Sequence, residues 1–178
     1  MRIIITTLLF FPISLLAQLE FHRSNAIHVS ENGDILDFAW AGGINSSQWS
    51  NIDLNNDGTD DIFIYERTSR TFTTYLADPS TQTYYLTFEY QNSFPPVRDW
   101  VLLRDFNCDG KNDIFTYTPG GIAVYENTSA GSSVSFSLRS PILKSYYDFG
   151  ASEYYASIYM TNVDIPSIDD FDGDGDLD

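Results

Sequence analysis

The sequence is poor in cysteine, histidine and basic residues, and each shortage excludes a class of function. Its 178 residues include one cysteine, two histidines and nine lysines or arginines, and the formal net charge is -16. The single Cys108 excludes an internal disulfide framework and has no neighbour that would activate it as a nucleophile. His22 and His28 lack partners at catalytic or metal-binding spacing, so both are interpreted as structural. The acidity argues against nucleic acid and anionic membranes, because both need basic contacts.

The chain also lacks an amphipathic helical pattern of useful length, whereas aromatic residues make up 16% of it. Aromatic and β-branched side chains fill pleated, half-buried surfaces, so we predict an all-β fold. Asn32-Gly33 lies between two alternating apolar runs and predicts a β-hairpin. Further strands are predicted at residues 62–65, 71–76, 84–90, 114–117, 122–125, 133–138 and 154–159.

The segment from Met1 to Ala17 is typical of a secretory signal peptide. A basic start, Met1-Arg2, precedes an apolar run that ends in Leu15-Leu16-Ala17. This run is shorter than the roughly 20 residues that a membrane span needs, and Pro12 interrupts it. We therefore expect cleavage after Ala17, a mature chain without a transmembrane segment, and a secreted or cell-surface location. Extracellular calcium is concentrated enough to fill weak sites that would stay empty in the cytosol.

Three nine-residue acidic loops, at residues 53–61, 105–113 and 170–178, share one pattern. Each has a carboxylate or carboxamide at loop positions 1, 3, 5 and 9 and a glycine at position 6. Oxygens at alternate positions can converge on one Ca²⁺ ion, and glycine permits the turn that aims the position 7 carbonyl at it. The predicted ligands are Asp53, Asn55, Asp57, the carbonyl of Thr59 and Asp61; Asp105, Asn107, Asp109, the carbonyl of Lys111 and Asp113; and Asp170, Asp172, Asp174, the carbonyl of Asp176 and Asp178.

Calcium suits these loops better than the other metals considered. Sulfur and imidazole ligands are absent, which disfavours zinc and copper, and magnesium demands stricter octahedral geometry. An EF-hand requires an acidic residue at position 12, where this chain has Ile64 and Thr116. Plain Asx-Gly turns between strands are the alternative, and the threefold repetition of the ligand positions favours calcium over it.

The loops recur at a similar spacing, since they begin at Asp53, Asp105 and Asp170, with the second interval longer than the first. A period near 50 with several short strands per unit indicates propeller blades or another array. The loops, with the Ile-Phe pair that follows the first two, resemble the Asp-x-Asp/Asn-x-Asp-Gly-x-x-Asp-apolar signature of FG-GAP/VCBS repeats. This resemblance implies that residues 18–178 form about three four-stranded blades of a β-propeller with calcium in the loops. Because the sequence stops at position 9 of the third loop, we expect an incomplete propeller and an N-terminal fragment.

Two classes of function follow from this pattern. The first is a non-catalytic, calcium-binding secreted or cell-surface repeat module that serves adhesion or binds carbohydrate or extracellular protein. The alternative is the propeller part of a calcium-containing polysaccharide lyase or hydrolase. Catalysis needs an acid, a base or a nucleophile beside a cleft, whereas the clustered carboxylates stand at ligand positions. The sequence therefore favours the binding module, with structural calcium, about one ion per loop, and no catalytic residue.

Overall fold

The computed structural model describes residues 21, 23–148, 150, 153–175 and 177–178. These residues contain strands and one short 3-10 turn, Gln91–Ser93, so the all-β prediction is confirmed. The strands are β1 (Ser30–Glu31), β2 (Asp34–Ile35), β3 (Ser47–Ile52), β4 (Asp61–Glu66), β5 (Thr71–Asp78), β6 (Thr83–Thr87), β7 (Val101–Arg104), β8 (Asp113–Thr118), β9 (Gly121–Asn127), β10 (Phe136–Ser140), β11 (Lys144–Asp148) and β12 (Glu153–Ser157). The predicted signal peptide and His22 lie outside the described residues. Within that part of the chain, no helix has the length and apolarity needed to cross a bilayer.

Two four-stranded antiparallel sheets make up most of the fold. The first sheet contains β3 to β6 and the second contains β7 to β10, and in each sheet neighbouring strands follow chain order. The first acidic loop joins β3 to β4, and the second joins β7 to β8. Two hairpins, β1–β2 and β11–β12, complete the described sheets, of which none is closed. The two sheets are therefore copies of one structural unit, each with its acidic loop after the first strand.

The second strand of each sheet carries buried apolar side chains on both of its faces. In β4, Phe63 and Tyr65 pack into a core that also contains β7 residues, while Ile64 packs into a separate cluster on the opposite face. In β8, Ile114 joins the core shared with the first sheet, and Phe115 faces a third cluster. Apolar side chains on both faces thus place β4 and β8 in the interior of their sheets.

The largest core lies between the two sheets. Val101 and Leu103 of β7 are buried there with β4 residues, and Phe94 stacks on Phe63 with ring centroids 5.0 Å apart. Along the edge of β7 that is not paired with β8, the backbone N–H groups donate to side chains of β3 rather than to the backbone of another strand. The N–H of Val101 donates to Gln48 Oε1 at 2.9 Å, and the N–H of Leu103 donates to Ser50 Oγ at 3.2 Å. The first strands of the two sheets are therefore joined side by side.

The other face of the second sheet is covered by the chain that leads to the third loop. Trp100, Phe115 and Ile168 are buried in this cluster, and Ile158 and Met160 pack against them. The interval between the second and third loops is longer than that between the first and second, and it contains the β11–β12 hairpin. This hairpin has no counterpart between the first two loops, so it accounts for the longer interval.

Three strands are not predicted from sequence. They are β3, β7 and β11. Ser47–Ile52 is mostly polar and Val101–Arg104 is only four residues long, so neither shows a clear alternating pattern. The strand predicted at residues 84–90 ends at Thr87, because the chain turns into the 3-10 segment Gln91–Ser93. The Asn32-Gly33 hairpin is confirmed, with positive φ at both residues.

Replacing Leu103 by alanine should destabilise the protein strongly, because its side chain is 0% exposed in the core between the sheets. We expect a loss of about 2–5 kcal/mol in the free energy of unfolding, measured by urea denaturation. The matched control is Leu138→Ala in β10, where the leucine is 55% exposed, and the loss should stay below about 1 kcal/mol. Equal losses for the two variants would contradict the packing described here.

Glu66, at the end of β4, generates a pH-dependent prediction. Its carboxylate accepts the backbone N–H groups of Asn45 at 2.7 Å, Ser46 at 2.9 Å and Thr68 at 2.9 Å. Burial acts to raise the pKa of Glu66, but the donors at Thr68, Ser46 and Asn45 outweigh it and hold the pKa below its ordinary value of 4.5. The stabilisation is therefore present above that value and is lost as the pH falls through the folded-state pKa.

The variant Glu66→Gln should accordingly be less stable than the native chain at neutral pH. The difference in unfolding free energy should shrink once the pH falls below the ordinary value of 4.5. Urea denaturation of both proteins across a pH series measures this difference while cancelling the titration of the other acids. A gap that stays constant into strong acid would show that the charge on Glu66 is not the source of the stabilisation.

Candidate metal centre

The three acidic loops fold around the carboxylate at position 1. This carboxylate belongs to Asp53, Asp105 and Asp170, and in every loop it accepts the backbone N–H groups of positions 5 and 6. The two distances are 3.1 and 2.8 Å in the first loop, 3.1 and 2.8 Å in the second, and 3.1 and 3.0 Å in the third. The position 1 carboxylate therefore sets the curvature of each loop, because it accepts N–H groups from residues four and five positions further along the chain.

The side chain at position 3 accepts one of the same N–H groups. The oxygens of Asn55, Asn107 and Asp172 each accept the N–H of position 5, at 3.1, 3.1 and 3.2 Å respectively. Because positions 1 and 3 share this donor, their side-chain oxygens are held close to each other. The predicted convergence of positions 1 and 3 is thus present in all three loops.

Position 5 supplies the third oxygen of the cluster. Asp57 accepts the N–H of Thr59 at 2.8 Å, and Asp109 accepts the N–H of Lys111 at 2.9 Å. The side-chain amide of Asn55, followed by the Thr59 N–H, lowers the pKa of Asp57, so that carboxylate is ionised at neutral pH.

In the third loop, where all three positions are aspartate, the carboxylate oxygens of positions 1, 3 and 5 lie within 4.8 Å of one another. This loop therefore brings three full negative charges together. A divalent cation would relieve their repulsion.

Left-handed backbone at two positions produces the tight coil. Position 4 has positive φ in each loop, at Asn56 (55°), Cys108 (59°) and Gly173 (80°), and so does the glycine at position 6. Asparagine and glycine tolerate this conformation better than other residues, which explains two of the three residues at position 4. The glycine at position 6 was predicted from sequence, whereas the requirement at position 4 was not.

The residue at position 4 also makes contacts beyond its own loop. Asn56 donates its side-chain amide to the carbonyl oxygen of Gly131 at 2.7 Å, next to the second sheet. The thiol of Cys108 contacts the carbonyl oxygen of Gly175 in the third loop at 3.6 Å and is otherwise exposed. Neighbouring units are therefore linked through position 4 of their loops.

The carboxylate at position 9 has a different environment from the others. Asp61 and Asp113 are completely buried, and each accepts two backbone N–H groups. For Asp61 the donors are Leu54 and Ala77, both at 2.8 Å. The corresponding donors to Asp113, from loop position 2 and from β9, lie at 2.9 and 2.6 Å. Position 9 thus fastens the start of the loop to the third strand of the sheet, a role that its spacing alone did not indicate.

Burial raises the pKa of Asp61 and of Asp113 above the ordinary aspartate value. The two backbone donors to each carboxylate act in the opposite direction, and the negative charges at loop positions 5 and 1 raise the pKa further. The charges at positions 1 and 5 thus act on the carboxylate at position 9 of the same loop. In the third loop Asp178 accepts the N–H of Phe171 at 3.0 Å, so the contact from position 9 to position 2 occurs there too.

The donor set fits a hard divalent cation. Every candidate ligand is an oxygen, and a carboxylate oxygen that already accepts one hydrogen bond retains a second lone pair for a metal. The oxygens of positions 1, 3 and 5 lie together, whereas Asp61 and Asp113 at position 9 are buried and use both oxygens to accept backbone N–H groups. Asp178 is exposed, and Asp176 lies outside the described residues. The side chains of positions 1, 3 and 5 could therefore hold a hard divalent cation such as Ca²⁺.

No protein-family model, curated protein or solved structure matches the chain. The resemblance to FG-GAP/VCBS repeats stays a prediction that rests on the loop residues and their period. The function must accordingly be inferred from the loops and from the surfaces of the sheets.

The variant Asp61→Ala should destabilise the protein whether or not calcium is present, because it leaves the buried N–H group of Leu54 and the part-buried N–H group of Ala77 without an acceptor. We expect a loss of about 1–4 kcal/mol, measured by urea denaturation in calcium and in chelator. The adjacent control is Asp60→Ala, since Asp60 is exposed and accepts only a long 3.3 Å bond from Asn51. If the cost of Asp61→Ala disappeared in chelator, its role would be metal binding alone.

Proposed function

We propose that this chain is a calcium-binding β-repeat module, secreted or displayed on a cell surface, that binds carbohydrate or protein without catalysing a reaction. The observation that carries the proposal is the common hydrogen-bond scheme of the three loops. In each loop the position 1 carboxylate accepts the N–H groups of positions 5 and 6, and the position 9 carboxylate accepts that of position 2. Three turns that differ in sequence and share this scheme favour a common ligand over plain Asx-Gly turns.

Calcium in these loops would be structural. The first two loops connect the first strand of a sheet to the second, and they leave the side chains of positions 1, 3 and 5 exposed or partly exposed while burying the position 9 carboxylate. A bound Ca²⁺ would offset the repulsion among the carboxylates and so favour the folded loop over the unfolded chain. The chemistry supplied by the ion is charge neutralisation, and the side chains at positions 1, 3 and 5 would hold it.

The proposed architecture is part of a β-propeller, in which the two four-stranded sheets are successive blades. Its support is the side-by-side arrangement of β3 and β7 and a shared contact at Arg67. The guanidinium of Arg67 donates to the carbonyl oxygens of Asp99 at 2.9 Å, Asp164 at 3.3 Å and Val163 at 3.4 Å. These carbonyls precede the second sheet and the third loop respectively, so three consecutive units meet at one side chain. Such a meeting point suits blades arranged around a common axis.

The secreted location is proposed from the segment between Met1 and Ala17 alone, and N-terminal sequencing of the exported protein would test cleavage after Ala17. The alternative function is that of the propeller part of a polysaccharide lyase or hydrolase. An assay of the protein for release of unsaturated uronate or reducing ends distinguishes this enzyme from the binding module. Detectable turnover would replace the binding module with the enzyme.

Removal of calcium should lower the melting temperature of the purified chain. With free Ca²⁺ about 100-fold above the dissociation constant, each site adds about 2.7 kcal/mol, which corresponds to a shift of roughly 5–10 °C for a protein of this size. Calorimetry in millimolar Ca²⁺ and in EDTA measures the shift, and Mg²⁺ at the same concentration should restore only a small part of it.

A pair of variants provides the control for this experiment. Asp57→Asn and Asp109→Asn each remove one ligand charge and should reduce the calcium-dependent shift, whereas Asp60→Asn should leave it unchanged. Identical melting temperatures in Ca²⁺ and EDTA would refute the proposal that calcium stabilises the fold.

A further inference from the structure

A second candidate binding site lies away from the acidic loops. The segment of residues 25–40 crosses the outer strand of the first sheet and leaves a cleft of about 530 Å³ against β5 and β6. This volume lies within the range of small-molecule sites, roughly 300–1,000 Å³. We call it the aromatic cleft, after four of its lining residues: Phe38, Trp40, Tyr84 and Tyr85. Asn25 and Asp78 are among its polar lining residues.

The rings of the aromatic cleft are held in place while remaining open to water. The indole N–H of Trp40 donates to the carbonyl oxygen of Ile27 at 2.8 Å, yet the residue is 46% exposed. Phe38 packs its ring against Tyr75, with centroids 6.0 Å apart, and is exposed on its other side. Large apolar rings that are fixed and exposed together form a ready surface for a ligand with an apolar face.

Polar groups stand beside these rings. The hydroxyls of Thr81 and Thr83 lie 2.8 Å apart at the rim of the cleft, and the Asp78 carboxylate accepts the Ser80 hydroxyl at 2.6 Å. Asn25 is anchored on β6 by its bond to the carbonyl oxygen of Leu86 at 2.6 Å. A ligand that fits must therefore present both C–H surface for the rings and hydroxyls for the carboxylate, amide and threonine groups.

From these features we infer that the aromatic cleft binds a neutral oligosaccharide. A pyranose ring offers an apolar face of C–H groups and a rim of hydroxyls, which matches the arrangement of rings and polar groups. The inference names the partner of the proposed binding module and rests on that function. It does not depend on the metal sites, because no loop residue is among the described residues that line the cleft.

Charge selects a neutral sugar over an acidic one. Asp37 and Asp78 line the cleft, and the described lining residues include neither lysine nor arginine. Hydrogen bonds from Ser80 and Thr81 lower the pKa of Asp78, so it is negatively charged at neutral pH. A uronate or a sulfated sugar would bring further negative charge to a chain of net charge -16 and would be repelled.

Size favours a sugar over a protein as the occupant. A stable protein interface buries about 800 Å² on each partner, whereas the aromatic cleft is a compact groove between one segment and one sheet edge. Beside its rings, the cleft is lined by exposed aliphatic residues, among them Ile27, Ile35 and Leu36, as well as by hydroxyl and carboxylate groups. The aliphatic residues add C–H contact surface for one face of a sugar, and the polar groups lie beside it.

The test uses the full chain in millimolar Ca²⁺ on an array of neutral oligosaccharides, including cellohexaose, mannohexaose and chitohexaose, with oligogalacturonate as the acidic probe. We expect a neutral hexasaccharide to bind and the uronate not to bind. Isothermal titration calorimetry then compares variants. Trp40→Ala should weaken binding of the neutral hexasaccharide by about tenfold or more, and Trp40→Phe, which keeps an aromatic face, should retain most of the affinity.

The matched control is Trp49→Ala, because Trp49 is 57% exposed on β3 and does not line the cleft. It should bind the sugar as the native chain does, and all variants should show the native calcium-dependent melting shift. Tyr84→Ala provides a second reporter of the cleft if Trp40→Ala proves unstable. Absence of binding across the neutral array, equal affinity of Trp40→Ala and the native chain, or tighter binding of the uronate would overturn the inference.

Further outcomes separate this inference from the calcium proposal. Sugar binding that depends on Trp40, in a chain whose melting temperature does not respond to EDTA, would uphold the cleft and reject the structural calcium. A calcium-dependent melting shift without binding of any neutral sugar would reject the cleft alone. Binding of a protein that depends on Trp40, without sugar binding, would make the cleft a protein-docking surface and overturn the glycan assignment.

Discussion

The interaction on which each unit depends is the buried carboxylate at loop position 9. Asp61 and Asp113 have no contact with water, and each uses both oxygens to accept backbone N–H groups, one from the loop and one from the third strand of the sheet. These bonds satisfy backbone N–H groups that the hydrogen-bond ladder of the sheet leaves without an acceptor. They also attach the loop to a rigid strand. The remaining oxygens of the loop can then be exposed in one geometry. A site that is held from behind by the sheet needs little rearrangement to accept an ion.

The contacts between units use side chains where a continuous sheet would use backbone. Gln48 and Ser50 of β3 accept the edge N–H groups of β7, and Arg67 donates to carbonyls that precede the second sheet and the third loop. Side-chain bonds of this kind join the two sheets without backbone pairing between β3 and β7. They also cover a strand edge that would otherwise be available to other chains.

Features that depend on near neighbours in sequence were predictable, and features that depend on distant contacts were not. The ligand spacing of positions 1, 3 and 5, the Asn32-Gly33 hairpin and the apolar strands β4 and β8 all follow from local patterns. In contrast, the sequence of β3 is mostly polar, and one of its polar residues, Ser50, accepts an N–H group of β7, which lies far along the chain in the next sheet. The aromatic cleft likewise needs Trp40 to meet β6, which no local pattern announces. The propeller, the bound calcium and secretion stay predictions, and only the propeller is supported by distant contacts, those between β3 and β7 and those of Arg67.

The position of Arg67 has an electrical consequence. The first two acidic loops follow the first strands of their sheets, whereas Arg67 and Arg70 lie in the turn after β4, at the opposite end of the strands, and Arg98 lies just before β7. The loop end of the sheets therefore carries an excess of negative charge that Arg104 and Lys111 offset only in part, while Glu66 and Asp99 accompany the guanidinium groups at the other end. Such a separation gives the pair of sheets an electric dipole directed along the strands. A charged surface would therefore orient the approaching molecule so that one end of the strands, and not the side of the sheets, makes the first contact.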